Sequence, residues 1–124
     1  MASISVVIPC HNEEASIKEV IAAVPQGVLE VLVIDNNSTD RTAEIAKEAG
    51  ACVIPEPIQG YGPALACGFR NARGEIIATL DGDNQYPSYK VVEIADWLIT
   101  HNLDFVSAAR FPLDDVSSQP FVRR

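Results

Sequence analysis

The chain has 124 residues and a formal net charge of −8 at pH 7, which is enough for one domain but small for a complete α/β enzyme. No cluster of Lys and Arg precedes the last two residues, so nucleic acid is excluded as a partner, because basic groups bind phosphate backbones. No run approaches the roughly 18 apolar residues of a membrane span, and the N-terminal segment lacks the basic flank of a signal peptide.

Three cysteines, Cys10, Cys52 and Cys67, show no C-x-x-C spacing, and two of them stand in apolar runs. An odd number of cysteines without metal-ligand spacing is typical of buried thiols in a reducing compartment. We therefore expect a soluble chain in the cytoplasm.

The first part of the chain predicts strand, helix, strand. Residues 3–8 form a β-branched run closed by Pro9, which cannot continue a central strand. Asn12, followed by two glutamates, predicts the cap of a helix. Residues 29–34 (LEVLVI) predict the second strand. The apolar stripe of the helix is Ile17, Val20, Ile21 and Val24.

The middle of the chain repeats this alternation. Residues 38–40 (STD) predict the cap of a helix over residues 41–49, and residues 51–54 predict a short third strand. A loop over residues 55–62 leads to a third helix over residues 63–72.

The last elements are a fourth strand, a fourth helix and a fifth strand. Residues 76–80 predict the fourth strand, Pro87 lies in the first turn of the helix, and residues 104–108 predict the fifth strand. The alternation implies parallel pairing with right-handed crossovers, and therefore a doubly wound α/β sheet. We assign residues 1–111 to this core and residues 112–124 to a loop-like tail.

Two carboxylates follow the fourth strand directly. Asp81 and Asp83 stand at the end of the apolar run, with the amide of Gln85 two positions on. Such oxygen donors suit Mg²⁺ or Mn²⁺, and such an ion would bind a phosphate group as well. Asp-Gly and Asn are also ordinary turn residues, so a simple turn is the alternative.

Two other D-x-D sites are discounted. A helix-loop-helix calcium loop starting at Asp81 needs Gly at its sixth position and Glu at its twelfth, where this chain has Tyr86 and Val92. Phosphatases with an aspartyl nucleophile usually end their first strand in D-x-D with Thr or Val two places on, where this chain has Gln85 after a late strand.

Polar residues follow three of the predicted strands, at residues 9–13, 35–37 and 81–85. Because the carboxyl ends of parallel strands meet at one edge of the sheet, we expect these segments to face one cleft. Asp35 suits a nucleobase N–H or a ribose hydroxyl, or it serves the turn into the next helix.

The segment Gly60-Tyr61-Gly62 invites a dinucleotide-binding interpretation. It fails, because Leu65 stands at the third glycine position and the loop follows the third strand rather than the first. Its small residues either let the chain pass close to a ligand or to the sheet, or form an ordinary turn.

Several motifs together resemble the N-terminal part of family 2 inverting glycosyltransferases with the GT-A fold. They are PCHNEE, VLVIDNNSTDRT, GYGPALACGFRNARGEIIATLDGDNQYP and AARF. Within this family the chain looks most similar to the dolichol-phosphate mannose synthases and polyprenyl-phosphate glycosyltransferases. The resemblance covers almost the whole chain and implies a Rossmann-like nucleotide-sugar-binding fold, mainly parallel, with helices on both faces of the sheet.

The resemblance also implies roles for individual residues. Those expected to bind the nucleotide are Pro9, His11, Glu13, Asp35, Asn36, Gly62 and Asp81. Asp83 and Gln85 correspond to metal ligands, and the expected catalytic residues are Asp81, Asp83 and Arg110. A second arginine for the phosphates would be Arg123 or Arg124. Two positions depart from the family, which often has an aromatic residue at His11 and has a second acid at Asn36.

The expected function is metal-dependent, inverting transfer of a sugar from a nucleotide-diphospho-sugar of the GDP-mannose or UDP-glucose type. The resemblance implies a polyprenyl or dolichyl phosphate as acceptor, and hence a peripheral location at the cytoplasmic membrane face. The alternative is a nucleotide-sugar-binding module or fragment without turnover, because family members continue past this length. We expect the surface left exposed on the acceptor side to favour a homo-oligomer.

Overall fold

The computed structural model describes residues 2–83, 88–107 and 121–123. Strands and helices alternate through most of this range, and a single 3₁₀ turn at Ser88–Lys90 precedes the last helix. In chain order the elements are β1 (Ile4–Cys10), α1 (Ile17–Ala23), β2 (Glu30–Asp35), α2 (Thr42–Glu48), β3 (Cys52–Pro55), α3 (Tyr61–Asn71), β4 (Ile76–Thr79), α4 (Val91–Thr100), β5 (Phe105–Ser107) and β6 (Phe121–Arg123).

Four strands form one parallel sheet in the order β3-β2-β1-β4. Every residue of β1 except Pro9 is buried. A strand covered on both faces needs a continuous apolar run rather than an alternating one, which explains the β-branched sequence at the start of the chain. β1 is therefore the central strand on which the rest of the sheet is built.

Helices cover both faces of the sheet, as predicted. On one face Ile4, Val6 and Ile8 of β1 join a core with buried residues of α1, α2 and α4. On the other face Val7 and Leu32 pack with buried residues of α3. Each fully buried aliphatic side chain stabilises the fold by about 1.5–3 kcal/mol, so β1 is a large contributor.

The chain reverses its direction of travel across the sheet between β1 and β4. From β1 it moves outward through β2 to β3, and α3 then carries it back over the opposite face to β4 on the other side of β1. In open α/β sheets, ligands bind in the crevice outside the carboxyl ends of the strands at such a reversal. The topology alone therefore points to the ends of β1 and β4.

The prediction that the first helix begins at Asn12 is wrong. Asn12 has a left-handed backbone with φ +55°, whereas a helix cap needs an extended one. The chain first turns through residues 12–16, where Ile17 N donates to Glu13 O at 2.9 Å, and α1 begins at Ile17.

The fifth strand does not join the parallel sheet, contrary to the prediction from alternation. β5 pairs antiparallel with β6 in a separate two-stranded sheet. The residues of β6 belong to the tail predicted as loop-like, so this short part is extended because it has a pairing partner. The division at residue 111 falls outside the described residues and stays a prediction.

Two smaller expectations also change. Helix α3 begins at Tyr61, so Pro63 lies within its first turn, where a missing backbone N–H costs nothing. Cys10 and Cys67 are buried thiols as expected, but Cys52 is exposed because it opens the edge strand β3. No helix within the described ranges has the length and apolar character needed to cross a bilayer.

Gly68 allows α3 to pack closely on β1, and substituting it tests that packing. A Cβ at this position would lie 2.4 Å from Val7 Cγ1, so we expect Gly68→Ala to lower the free energy of unfolding by about 2 kcal/mol, as overpacked cores do. Chemical denaturation measures the change.

Gly62→Ala is the matched control, because it lies in the same helix and a Cβ there meets nothing within 4 Å. It should not destabilise the protein. Equal stability of both variants would contradict the packing of α3 described above.

Candidate functional site

The carboxyl ends of the parallel strands meet at one edge of the sheet. Cys10 at the end of β1 stands opposite Asp35 at the end of β2, which in turn stands opposite Pro55 of β3. On the other side of β1, Leu80 N donates to Val7 O at 2.9 Å. The loops that follow β1, β2 and β4 therefore open along the same edge, with Asp35 and Asp83 on it.

Carboxylates converge around Glu13 at this edge. Burial raises the pKa of Glu13 above its ordinary 4.5, the negative charges of Asp83, Asp40 and Asp81 raise it further, and His11 opposes them. Neighbouring like charges shift a pKa in this way only at short range. The loops after β1, β2 and β4 thus contribute acids to one concentrated negative region.

These acids have the chemistry of a divalent-cation site but are not yet arranged as one. Within the described ranges, no three His, Cys, Asp or Glu side chains lie close enough together to hold a metal ion. Gln85, the second predicted metal ligand beside Asp83, lies outside the described residues. The oxygen donors and the excess negative charge nevertheless fit Mg²⁺ or Mn²⁺.

Asp40 remains a charged member of this region. Burial acts to raise its pKa, but hydrogen bonds from the side chain and backbone of Thr42 and from Glu14 N lower the pKa of Asp40 overall. Glu13, with a raised pKa, and Asp40, with a lowered one, therefore respond differently to acid.

Gly82 brings the segment between Asp81 and Asp83 against the end of β1. A Cβ on Gly82 would lie 2.7 Å from Cys10 Sγ and 3.2 Å from Glu13 Cγ, so a larger residue would push the acids away from each other. Ser16 Oγ also donates to Gly82 O, which ties the segment to the start of α1.

Cys10 packs beneath the acidic segment and does not act as a nucleophile. Burial, with added repulsion from Glu13, Asp35 and Asp40, raises the pKa of the Cys10 thiol to about 12. Since only the thiolate is nucleophilic, Cys10 acts by packing.

The loop after β1 and the loop after β2 brace each other through side chains that bind backbone N–H groups. This network includes the segment predicted only as a helix cap, so sequence reasoning missed most of its role. The bonds are Asn12 N to Ser38 Oγ (3.0 Å), Glu13 N to Thr42 Oγ1 (2.9 Å), Glu14 N to Asp40 Oδ2 (3.3 Å), Thr39 N to Asn12 Oδ1 (2.8 Å) and Arg41 N to Glu14 Oε2 (3.1 Å).

The ring of His11 is held at the exposed edge of the cleft. Its Nδ1 lies 2.8 Å from Asn36 O, and because a carbonyl only accepts, we assign the proton to Nδ1. Nε2 then faces the amide of Asn12 at 3.4 Å as an acceptor. The imidazole therefore presents an oriented, polar surface.

Asn36 is 5% exposed, and both N–H groups of its amide are used inside the protein. Nδ2 donates to Glu56 O at 2.9 Å and to Ile58 O at 2.8 Å, while Oδ1 accepts from Gly60 N at 2.9 Å. Contact of Asn36 with a nucleotide stays a prediction, whereas its bonds to this loop are present in the structure.

The other predicted nucleotide-binding residues have distinct environments. Asp35 is half-buried and accepts from Ser38 N at 3.1 Å through Oδ1, so it does serve the turn, and its contact with a ligand stays a prediction. Pro9 lies opposite Ile34 in the register. Gly62 is exposed, and a Cβ there would meet nothing within 4 Å, so packing against the sheet does not explain this glycine.

Some predicted site residues cannot be placed. Arg110 lies outside the described residues, as does Arg124, and the side chain of Arg123 is likewise outside them. The arginine part of the predicted site therefore stays a prediction.

Comparison with known proteins agrees with this geometry. An uncharacterised glycosyltransferase of Mycobacterium tuberculosis is 40% identical over 111 residues, which is 90% of this chain and 50% of that protein. An undecaprenyl-phosphate 4-deoxy-4-formamido-L-arabinose transferase of Pseudomonas paraeruginosa is 33% identical over 106 residues, covering 75% of this chain and 31% of that protein. The chain thus spans about half the length of the mycobacterial relative and about a third of the length of the Pseudomonas relative.

A solved structure shares the fold. Glucosyl-3-phosphoglycerate synthase from Mycobacterium tuberculosis, in complex with Mn²⁺, uridine diphosphate and glucosyl-3-phosphoglycerate, matches with a TM-score of 0.67 and 32% identity. The match covers 83% of this chain and 40% of that one. The parallel sheet with helices on both faces is therefore the GT-A glycosyltransferase fold.

The sequence of the chain also matches a family model. The model is that of glycosyl transferase family 2, and it covers residues 5–121. This match shows that the chain belongs to glycosyl transferase family 2.

Proposed function

We propose that this chain is the donor-binding part of a metal-dependent, inverting glycosyltransferase that uses a nucleotide-diphospho-sugar. The observation that carries the proposal is the convergence of acids from three loops around Glu13 at the strand ends. A binding site for a diphosphate with its divalent ion needs such a concentration of oxygen donors.

The charges along the cleft suggest how the donor lies. The acids gather around Glu13, where the loops after β1, β2 and β4 meet, so the diphosphate with its ion would bind there. Toward β2 and β3 the edge carries the imidazole of His11 and the loop at residues 56–60, which is bonded to the side-chain amide of Asn36. The uncharged nucleoside would extend in that direction, with Asp35 beside it to accept from a hydroxyl or a ring N–H.

The chemistry needs stabilisation of negative charge on the leaving group. Displacement at an anomeric carbon passes through an oxocarbenium-like state while the departing nucleoside diphosphate gains negative charge. Asp81 and Asp83 would hold the divalent ion, with Gln85 as a further ligand, and the bound ion would stabilise the departing diphosphate. Arg110 would add positive charge on the same side.

A lipid phosphate is the proposed acceptor. The name of the Pseudomonas relative includes undecaprenyl phosphate, and a phosphate oxygen is already anionic, so no general base is required. A sugar or hydroxy-acid acceptor would need one. With a polyprenyl phosphate as acceptor, the protein would work at the cytoplasmic face of a membrane.

A catalytically incomplete binding module is the second candidate. The observation that motivates it is that the chain spans half the length of the mycobacterial relative. Ile77 on the edge strand β4 is 39% exposed, and an exposed apolar residue on a sheet edge favours self-association. A homo-oligomer is part of this proposal.

A transfer assay separates the two candidates. The chain is incubated with Mn²⁺, radiolabelled GDP-mannose or UDP-glucose and a polyprenyl phosphate, and the organic phase is counted. Steady lipid-linked label would support the enzyme and eliminate the binding module. Binding of the donor without any transfer would support the module.

Asp83→Asn tests the metal site, because it keeps the shape of the side chain and removes its charge. We expect wild type to bind UDP or GDP more tightly with Mn²⁺ than without it, and the variant to lose at least about tenfold in the metal-dependent part, roughly 1.4 kcal/mol. Isothermal titration calorimetry measures both.

Asp96→Asn on the exposed face of α4 is the control, and it should bind as wild type does. If Mn²⁺ strengthens the binding of neither nucleotide to wild type, the proposed function is wrong.

The raised pKa of Glu13 predicts that the stability of the protein depends on pH. Its pKa is raised above 4.5 in the folded state by burial and by Asp83, Asp40 and Asp81, so its contribution is fully present below pH 4.5 and is lost as the pH rises through the raised value. We expect Glu13→Gln to melt higher than wild type near pH 7 without divalent ions, and the gap to shrink at pH 4. Thermal melts across pH measure this, and a gap that is independent of pH would contradict the assignment.

A further inference from the structure

Three hydrogen bonds with one side-chain amide help to hold a five-residue loop at the carboxyl end of the sheet. Residues 56–60 follow β3, and Asn36 contacts this loop at three points, through Glu56 O, Ile58 O and Gly60 N. A short loop without regular structure normally relies on water for such groups. Here its backbone is ordered from within the protein.

The loop has a second anchor in the buried carboxylate of Glu56. Glu56 is 7% exposed, its Oε2 accepts from Ile58 N at 3.0 Å, and its Oε1 lies 3.4 Å from Arg70 Nη2 of α3. Asn37 adds a bond from Nδ2 to Pro57 O at 2.7 Å. Asn36 and Glu56 thus both hold the loop.

The fixed loop carries polar groups to the cleft beside His11. Gln59 accepts from Asn37 Nδ2 at 3.2 Å, and its own amide lies 3.5 Å from the His11 ring. The backbone carbonyl of Asn36 accepts the Nδ1 proton of the same ring at 2.8 Å. Asn36 therefore bonds both to the loop, through its side chain, and to the imidazole of His11, through its backbone carbonyl.

A carboxylate could not do this work at position 36. The two carbonyls of Glu56 and Ile58 need a donor, and an ionised Asp only accepts. The amide of Asn36 is thus matched to the loop that this chain has.

We infer that Asn36 is a positioning residue that preorganises residues 56–60, with Gln59 and His11, as the wall that receives the uncharged nucleoside half of the donor. This inference rests on the proposed function for the existence of that donor. Its distinctive consequence is a selective one, because disordering this wall should weaken binding of the nucleoside while leaving the charged end of the cleft intact.

The test is Asn36→Asp, which keeps the shape of the side chain and removes both donors. Because the loop loses its two bonds to Glu56 O and Ile58 O, hydrogen exchange at Ile58 and Gly60 should become at least about tenfold faster, while Leu80, whose N–H pairs with Val7 O, is unchanged. Binding of UDP or GDP with Mn²⁺ should weaken about tenfold, but binding of Mn²⁺ with pyrophosphate should change by less than about twofold.

The pyrophosphate arm separates positioning from charge. If the new charge merely repelled anions, the binding of pyrophosphate would weaken at least as much as the binding of the nucleotide. That result would overturn the inference. Asn102→Asp, an exposed site beyond α4, controls for the change in net charge. Unchanged exchange at Ile58 and Gly60 in Asn36→Asp would also overturn it.

Glu56→Gln is the second variant in case Asn36→Asp does not fold. It should speed hydrogen exchange at Ile58 and weaken the binding of the nucleotide more than the binding of pyrophosphate. A lack of both effects would overturn the inference. Failure of the proposed function looks different. In that case wild type binds neither nucleotide, while exchange at the loop still responds to Asn36→Asp.

Discussion

The structure depends on holding carboxylates together that would otherwise separate. Glu13, Asp40, Asp81 and Asp83 come from three loops, and burial together with the repulsion from the three aspartates raises the pKa of Glu13. Such an arrangement is unfavourable by itself, so the parallel sheet beneath must supply the difference. The strand β1, buried on both faces, and the reversal of the chain between β1 and β4 provide this support.

Close packing and hydrogen bonding divide that task. Gly82 lets the acidic segment lie directly on Cys10, and the buried thiol, with its raised pKa, adds no charge of its own. The loops after β1 and β2 then satisfy each other's backbone N–H groups with side-chain oxygens. Because these backbone groups are already ordered, the loops after β1 and β2 would need little rearrangement on binding a ligand, which favours affinity.

The sequence predicted the parallel sheet, its helices on both faces and the edge where the polar loops meet, because apolar periodicity and strand-end acids are local signals. It misplaced the start of α1, since a left-handed Asn12 reads in sequence like a cap. It also left β5 in the main sheet, because alternation does not reveal an antiparallel partner as distant as β6. The bracing by Ser38, Asp40 and Thr42 depends on contacts between loops some 26 residues apart, and no local pattern encodes it.

The same limit explains Asn36. Position 36 follows a strand-end acid in the sequence, but the role of the residue is set by what faces it, and here two backbone carbonyls accept from its amide. The acids of the resulting edge are concentrated around Glu13, whereas the loop after β3 adds backbone carbonyls and the amide of Gln59. A ligand with one highly charged end and one uncharged end matches such an edge in only one orientation, because reversing it would place an uncharged ring among the acids and a diphosphate against carbonyl-lined loop. For the donor proposed above, this distribution of charge along the strand ends would favour that orientation before any base is recognised.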